Sequence, residues 1–185
     1  MAHVLPPRAL LVAMLRNPVD RFYSAYNMGM GERKRRRGQR GGAAYAELAA
    51  SLGRWIECAP ACPSELGIVN LFFEYGLYAR HLSKFYRHFR RERVLLIKSE
   101  DFFRWPWGGA LQVFDFAGLA PPTSNVSFTS PNSSILNQGA MWGQNYSGKL
   151  RWQERAQLAR YYLPHNLDLY KLVGRNFGWE VGVLA

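Results

Sequence analysis

The chain has 185 residues, of which 48% are hydrophobic and 20% charged, a composition that fits one globular domain and excludes an intrinsically disordered chain. Its net charge of +11 indicates an anionic partner: a nucleic acid, a membrane surface, a nucleotide or an acidic glycan. No apolar run approaches the roughly 20 residues of a membrane-spanning helix, so we expect no membrane span in this chain, and residues 1–8 lack the apolar core of a signal peptide.

The first predicted elements are a strand and a helix joined by a tight turn. Residues 9–15 form a continuous apolar run, which is typical of a strand buried on both faces of a parallel sheet. Asn17 is a favourable N-cap, Pro18 suits the first helical position, and Asp20 suits the first turn. We therefore predict a strand over 9–15 and a helix that begins at Pro18.

The rest of the chain predicts more helices and one more strand. The basic, glycine-rich segment 31–42 and the polar segment 121–138 are predicted loops. Residues 94–97 are a second short apolar strand, and Gly174 is a predicted helix C-cap. Apolar spacing predicts helices over 45–56, 71–89, 107–117, 149–163 and 166–173. The fold class is therefore α/β, a parallel sheet flanked by helices, in a single domain over residues 1–185.

The turn after the first strand is the strongest candidate for a binding site. Arg16 stands at the carboxyl end of that strand, which is where α/β folds bind ligands. The helix that follows presents free backbone N–H groups and its positive dipole end, and Ser24 offers a hydroxyl. Arg16 could grip a phosphate in a forked arrangement, or it could simply form an ion pair at an ordinary strand–helix junction. The residue pattern alone does not separate these two interpretations.

The segment Leu15-Arg-Asn-Pro-Val-Asp-Arg-Phe-Tyr-Ser-Ala-Tyr26 resembles the 3′-phosphate-binding motif of Golgi-type carbohydrate sulfotransferases. The similarity extends from Leu10 to Trp179. It includes a block that starts at Gly76-Leu-Tyr78 and ends at Glu100-Asp101. The nearest pattern is that of N-acetylgalactosamine 4-sulfate 6-O-sulfotransferase, with heparan sulfotransferases further away.

This resemblance implies a P-loop-like sulfotransferase fold, incomplete at its N-terminal side, of which this chain is the 3′-phosphate-binding half. It implies that Arg16 and Ser24 contact the 3′-phosphate of the co-substrate 3′-phosphoadenosine 5′-phosphosulfate. The stretch Ser147-Gly-Lys-Leu-Arg151 is similar to a loop that closes over the nucleotide in the heparan enzymes. Lys149 and Arg151 are therefore further candidate phosphate ligands, although they could equally be solvated residues at a helix start.

Other parts that the family uses have no counterpart in this sequence. We find no loop resembling Pro-Lys-x-Gly-Thr-Thr before Arg16, and the family's general base follows that loop. We therefore assign no catalytic residue, and we expect His81 and His88 to be surface or packing residues. We expect this chain to be a fragment of a carbohydrate sulfotransferase that is inactive alone. Its acceptor would be an anionic or neutral glycan.

An alternative is a module that binds RNA or other nucleic acid through the arginine-rich loop 32–40. Basic runs of this kind are more often solvated surface insertions, so we expect nucleic acid not to be a partner. Cys58 and Cys62 lack two further ligands at zinc-finger spacing, and we expect no metal. Glycosylation sequons begin at Asn125, Asn132 and Asn145, which favours a glycoprotein of the secretory pathway. The resemblance to Golgi-type enzymes implies a location in the Golgi lumen.

Overall fold

A computed structural model of the chain describes residues 6, 8–36, 54, 67–121 and 150–180. Two strands and six α-helices lie in these ranges, and we number them in chain order. They are β1 (Leu11–Leu15), α1 (Pro18–Arg36), α2 (Gly67–Glu74), α3 (Tyr78–Tyr86), β2 (Val94–Lys98), α4 (Ser99–Arg104), α5 (Pro106–Phe116) and α6 (Trp152–Val173), with a 3₁₀ turn at Arg91–Arg93. The predicted helix over 45–56 lies outside the described residues, apart from the helical Arg54.

The chain divides into two compact units, which comprise Met1–Asn17 with Ala79–Ser134 and Pro18–Tyr78 with Ile135–Ala185. The first unit contains the sheet, in which β1 and β2 are parallel and Leu11 pairs with Val94 and Leu15 with Lys98. Helices α4 and α5 pack on β2. The predicted α/β class, with a parallel sheet and flanking helices, is confirmed. Whether the two units form one domain stays a prediction.

Strand β1 is less buried than its apolar sequence predicts. Val12 and Met14 are 48% and 46% exposed, whereas Leu15 is buried. Among the described residues β1 has one neighbouring strand, β2, so apolar side chains that a larger sheet would cover remain in contact with solvent. The expectation that this strand is buried on both faces is therefore wrong for the chain described here.

The second unit has an aromatic core formed where α1 meets α2 and α6. Phe22 and Phe73 have ring centroids 4.4 Å apart, and Phe73 also stacks near Tyr162 at 6.2 Å. Burial of rings of this size dominates the stability of a small core. The buried cluster consists of Val19, Phe22, Tyr26, Phe73, Leu77, Leu150, Leu158 and Tyr162.

The predicted helix over 71–89 is two helices, and Gly76 lies at the break between them. A Cβ at position 76 would lie 2.6 Å from Cε1 of Tyr162, which is closer than atoms can pack. Only glycine allows α6 to approach the backbone here. The interruption between α2 and α3 therefore follows from a tertiary contact, which apolar spacing along the chain does not reveal.

The helices predicted over 149–163 and 166–173 form the single helix α6, which continues through Pro164. Proline removes the hydrogen bond to the carbonyl four residues earlier, that of Arg160. Both residues are exposed, so water can solvate that carbonyl. The buried stripe of Leu158, Tyr162 and Asn166 crosses the proline without a shift in phase. The helix ends as predicted at Gly174, which has a φ of 70° and donates its N–H to the carbonyl of Tyr170 over 2.8 Å.

The basic segment 31–42 is not entirely a loop. Helix α1 extends to Arg36, so residues 32–36 of the arginine-rich segment are helical, and residues 37–42 lie outside the described residues. Arginine, lysine and glutamate are all good helix formers, and one glycine costs only about 1 kcal/mol. Gly31 therefore does not end the helix, and the arginine-rich loop 32–40 proposed for nucleic-acid binding is wrong for its first five residues.

Candidate functional site

Arg16 is the first residue after β1, in the first compact unit. Because Leu15 pairs with Lys98, Arg16 stands at the carboxyl end of the parallel pair, and its side chain is exposed. Ligands of open α/β sheets bind at this end of the strands. An exposed guanidinium there can donate two parallel hydrogen bonds to the oxygens of a phosphate or sulfate group.

The turn that carries Arg16 is hydrogen-bonded to a side chain of α4, the helix that follows β2. The backbone N–H of Asn17 donates to Oε1 of Glu100, with 2.7 Å between nitrogen and oxygen. Glu100 lies in the first turn of α4, two residues after β2 ends. The motif at Arg16 does not predict a role for Glu100. The sequence signal for that role is that Glu100 follows the end of β2 by the same two positions as Asn17 follows the end of β1.

Ser24 lies on α1, in the second unit, and is half-buried. It is one helical turn after Asp20, so the two side chains share a face of the helix. Asp20 forms an ion pair with Arg155 of α6. This ion pair brings the first turn of α6 to the face of α1 that carries Ser24. Arg16 and Ser24 belong to different compact units, and their joint binding of one phosphate stays a prediction.

Arg151 occupies the N-cap position of α6, where its side chain is exposed. Its carbonyl accepts the N–H of Arg155 over 3.0 Å, so it lies one turn before the arginine that pairs with Asp20. The structure therefore places Arg151 at the end of α6 that adjoins the first turn of α1. Lys149 lies outside the described residues.

The second arginine of the motif, Arg21, has a different environment. Its Nη1 donates to the carbonyl oxygen of Phe72 over 3.1 Å, and its guanidinium lies 5.1 Å from the ring centroid of Tyr75. Arg21 therefore ties α1 to the end of α2, a contact that stabilises the second unit. The motif thus contains one exposed arginine at a strand end, Arg16, and one that joins two helices, Arg21. The sequence of the motif does not distinguish them.

Within the described ranges no group of three or more His, Cys, Asp and Glu side chains could hold a metal ion. Over the same ranges, none of the helices combines the length and the apolar character that a membrane crossing requires. Cys58, Cys62 and the three sequons lie outside the described residues.

A family comparison decides the class of protein. Residues 2–138 match the family described as "Sulfotransferase domain", which is well over half of the chain. The chain belongs to this sulfotransferase family. The membership confirms the family predicted from the motif at Arg16 and from the order of the later blocks.

Curated relatives of this sulfotransferase chain are enzymes of heparan sulfate modification. It is 29% identical over 117 residues to mouse (Mus musculus) heparan sulfate glucosamine 3-O-sulfotransferase 3B1, covering 57% of this chain and 30% of that protein. It is 25% identical over 193 residues to mouse heparan sulfate glucosamine 3-O-sulfotransferase 6, covering 96% of this chain and 51% of that protein. The chain thus spans between 30% and 51% of the length of these relatives.

A solved structure supports the fold. The chain resembles a sulfotransferase from Alicyclobacillus acidocaldarius with a TM-score of 0.60 and 23% identity, covering 94% of this chain and 58% of that one. This likeness confirms a sulfotransferase fold.

Proposed function

We propose that this chain is part of an enzyme that transfers a sulfuryl group from 3′-phosphoadenosine 5′-phosphosulfate to a hydroxyl of a carbohydrate, and that it supplies the 3′-phosphate site of that enzyme. The observation that carries the proposal is the exposed Arg16 at the carboxyl end of β1, in a chain of the sulfotransferase family. The whole of residues 1–185 would be one sulfotransferase domain fragment.

Each proposed ligand has chemistry that fits the 3′-phosphate. The guanidinium of Arg16 would donate to two phosphate oxygens, and the hydroxyl of Ser24 would donate to a third. Arg151, exposed at the start of α6, and Lys149 would add positive charge around the same nucleotide. These four groups bind and orient the nucleotide. We assign none of them a role in proton transfer, and the catalytic residue stays unknown.

The acceptor would be an anionic or neutral glycan. Relatives named for heparan sulfate and the net charge of +11 support a polysaccharide that carries negative charge. We place the protein in the Golgi lumen as a glycoprotein, on the support of its sequons and of these relatives. A shift in electrophoretic mobility after glycosidase treatment of protein from secreting cells would support this location, and an unchanged mobility would count against it.

Calorimetric titration with adenosine 3′,5′-bisphosphate tests the proposed site. Charge-assisted hydrogen bonds contribute about 1.5–3 kcal/mol, so we expect Arg16→Ala to weaken binding by roughly 10- to 150-fold. Arg104→Ala removes the same charge from an exposed position of the same unit and should leave the affinity within about twofold, because isolated surface charges contribute little.

A second nucleotide separates the 3′-phosphate from the rest of the ligand. Adenosine 5′-monophosphate lacks that group, so Arg16→Ala should not change its affinity. If Arg16→Ala and Arg104→Ala bind the bisphosphate equally well, the assignment of Arg16 is wrong. Transfer of labelled sulfate by this chain alone would contradict our expectation that it is inactive by itself.

A further inference from the structure

Glu100 and Asn17 meet because the two parallel strands end at the same level. Leu15 pairs with Lys98, and each of the two residues lies two positions past its strand end. The carboxylate of Glu100 accepts the backbone N–H of Asn17 over 2.7 Å, across 83 residues of sequence. The backbone pairing of β1 with β2 ends at Leu15 and Lys98. Two residues further on, the Glu100 side chain accepts the hydrogen bond that a backbone carbonyl would accept if β2 continued.

The hydrogen bond acts on the peptide group that adjoins Arg16. The carbonyl of Arg16 and the N–H of Asn17 belong to one planar unit, so holding the N–H fixes the orientation of that plane and with it the ψ angle of Arg16. Pro18, the next residue, has no N–H. Asn17 therefore supplies the one backbone donor between Arg16 and the start of α1, and Glu100 holds it.

Glu100 carries a negative charge although it lies next to a proposed site for an anion. A carboxylate beside a site for an anion repels that anion, so electrostatics alone would favour a neutral residue here. Oε2 of Glu100 is buried and has no hydrogen-bond partner within the described part of the chain. The observed hydrogen bond of Glu100 is therefore the one that Oε1 forms with the turn.

We propose that Glu100 is a positioning residue for nucleotide binding, which acts through Arg16 by holding the Arg16–Asn17 peptide in place. The inference rests on the proposed 3′-phosphate site and names a residue that supports it from the first turn of α4, just after β2. Glu100 itself would not touch the nucleotide.

Two conservative substitutions separate positioning from charge. Glu100→Gln removes the charge and keeps an oxygen acceptor at the same reach. Glu100→Asp keeps the charge and is one methylene shorter, so its carboxylate withdraws from Asn17. Asp101→Asn is the matched control, since it removes one charge from the exposed neighbour in the same helix turn. All three are measured as intact 185-residue chains by calorimetric titration with adenosine 3′,5′-bisphosphate.

The positioning role predicts opposite results for the two variants. We expect Glu100→Asp to weaken binding by on the order of fivefold, the loss that follows from one ordinary hydrogen bond, and Glu100→Gln to bind as well as the wild type or slightly better. If charge alone mattered, Glu100→Gln and Asp101→Asn would both bind more tightly and Glu100→Asp would not change. That pattern, or equal weakening by Asp and Gln, overturns the proposal.

A double-mutant cycle tests whether Glu100 acts through Arg16. In an Arg16→Ala background, Glu100→Asp should have no further effect on the affinity. A further fivefold loss in that background would show that Glu100 acts by another route and would overturn the inference. If Arg16→Ala has no effect in the first place, the proposed function fails. If Arg16→Ala weakens binding but Glu100→Asp does not, only the present inference fails.

Discussion

The contact between Gly76 and Tyr162 predicts that Gly76→Ala destabilises the protein, whereas a Gly→Ala substitution where alanine fits stabilises one. Where alanine fits, Gly→Ala stabilises a protein by about 0.4–1 kcal/mol because it restricts the unfolded chain. At position 76 the added Cβ would lie 2.6 Å from Cε1 and 2.9 Å from Cζ of Tyr162. That ring is fully buried, and its hydroxyl donates to the carbonyl of Phe73 over 3.2 Å. Moving the ring aside would therefore disrupt core packing and this hydrogen bond.

We expect Gly76→Ala to lower the free energy of unfolding by about 1–3 kcal/mol, the usual cost of overpacking a core. A loss of about 2 kcal/mol changes the folding equilibrium roughly 30-fold. Urea unfolding followed by far-ultraviolet circular dichroism measures it, and the slope against urea should not change. A variant as stable as the wild type, or more stable, would refute this account of the glycine.

Two further variants locate the cause of that loss. Gly108→Ala also places a methyl group against an aromatic ring, at 2.1 Å from Cε3 of Trp105, but this ring is 62% exposed and can turn into solvent. It should therefore cost less than Gly76→Ala. Combining Gly76→Ala with Tyr162→Leu should cost less than the sum of the two single changes, because the smaller side chain leaves room for the methyl group.

Two more predictions concern Tyr162 and Arg21. Burial raises the pKa of Tyr162 well above its usual value, so above about pH 10 only the unfolded chain loses this proton and the free energy of unfolding falls. Tyr162→Phe loses the hydrogen bond to the carbonyl of Phe73 and should have a free energy of unfolding about 1 kcal/mol lower than the wild type at pH 8. The difference between the two free energies, measured by urea unfolding, should narrow at pH 10.5; an unchanged difference would contradict this. Arg21→Gln should lower the free energy of unfolding by about 1–2 kcal/mol, from the lost charged hydrogen bond and ring contact, yet change the calorimetric affinity for adenosine 3′,5′-bisphosphate less than threefold. A loss of affinity as large as that of Arg16→Ala would make Arg21 a ligand.

The elements that the sequence predicts well are those whose cause is local. The start of α1 at Pro18, the end of α6 at Gly174 and the apolar strand β2 each depend on a few neighbouring residues. The errors arise where a distant contact overrides local preference. Gly76 interrupts a helical pattern because Tyr162 lies against it, and α6 continues through Pro164 because its buried stripe runs on from Leu158 and Tyr162 to residues beyond the proline.

The candidate site shows the same division between local and distant causes. The motif predicts that Arg16 follows a strand and that Ser24 lies on the next helix, and the structure places both so. It does not predict that Arg21, five residues after Arg16, is occupied by the carbonyl of Phe72 and the ring of Tyr75. Both arginines carry the same charge and stand close in sequence, so only their places in the fold distinguish them: Arg16 is exposed at the end of β1, and Arg21 joins α1 to α2.

The hydrogen bond from Asn17 to Glu100 links the motif to a residue far from it in sequence. A motif read along the chain treats Arg16 as if its own neighbours determined its orientation, but the peptide that follows it is held by a residue 83 positions away. If Glu100 positions Arg16 as we propose, a chain with an intact motif and an unsuitable residue at position 100 would keep its resemblance to the family and bind the nucleotide less well. Because β1 and β2 end level, the residue that holds the motif's turn is the one that follows the neighbouring strand at the same distance as the turn follows its own.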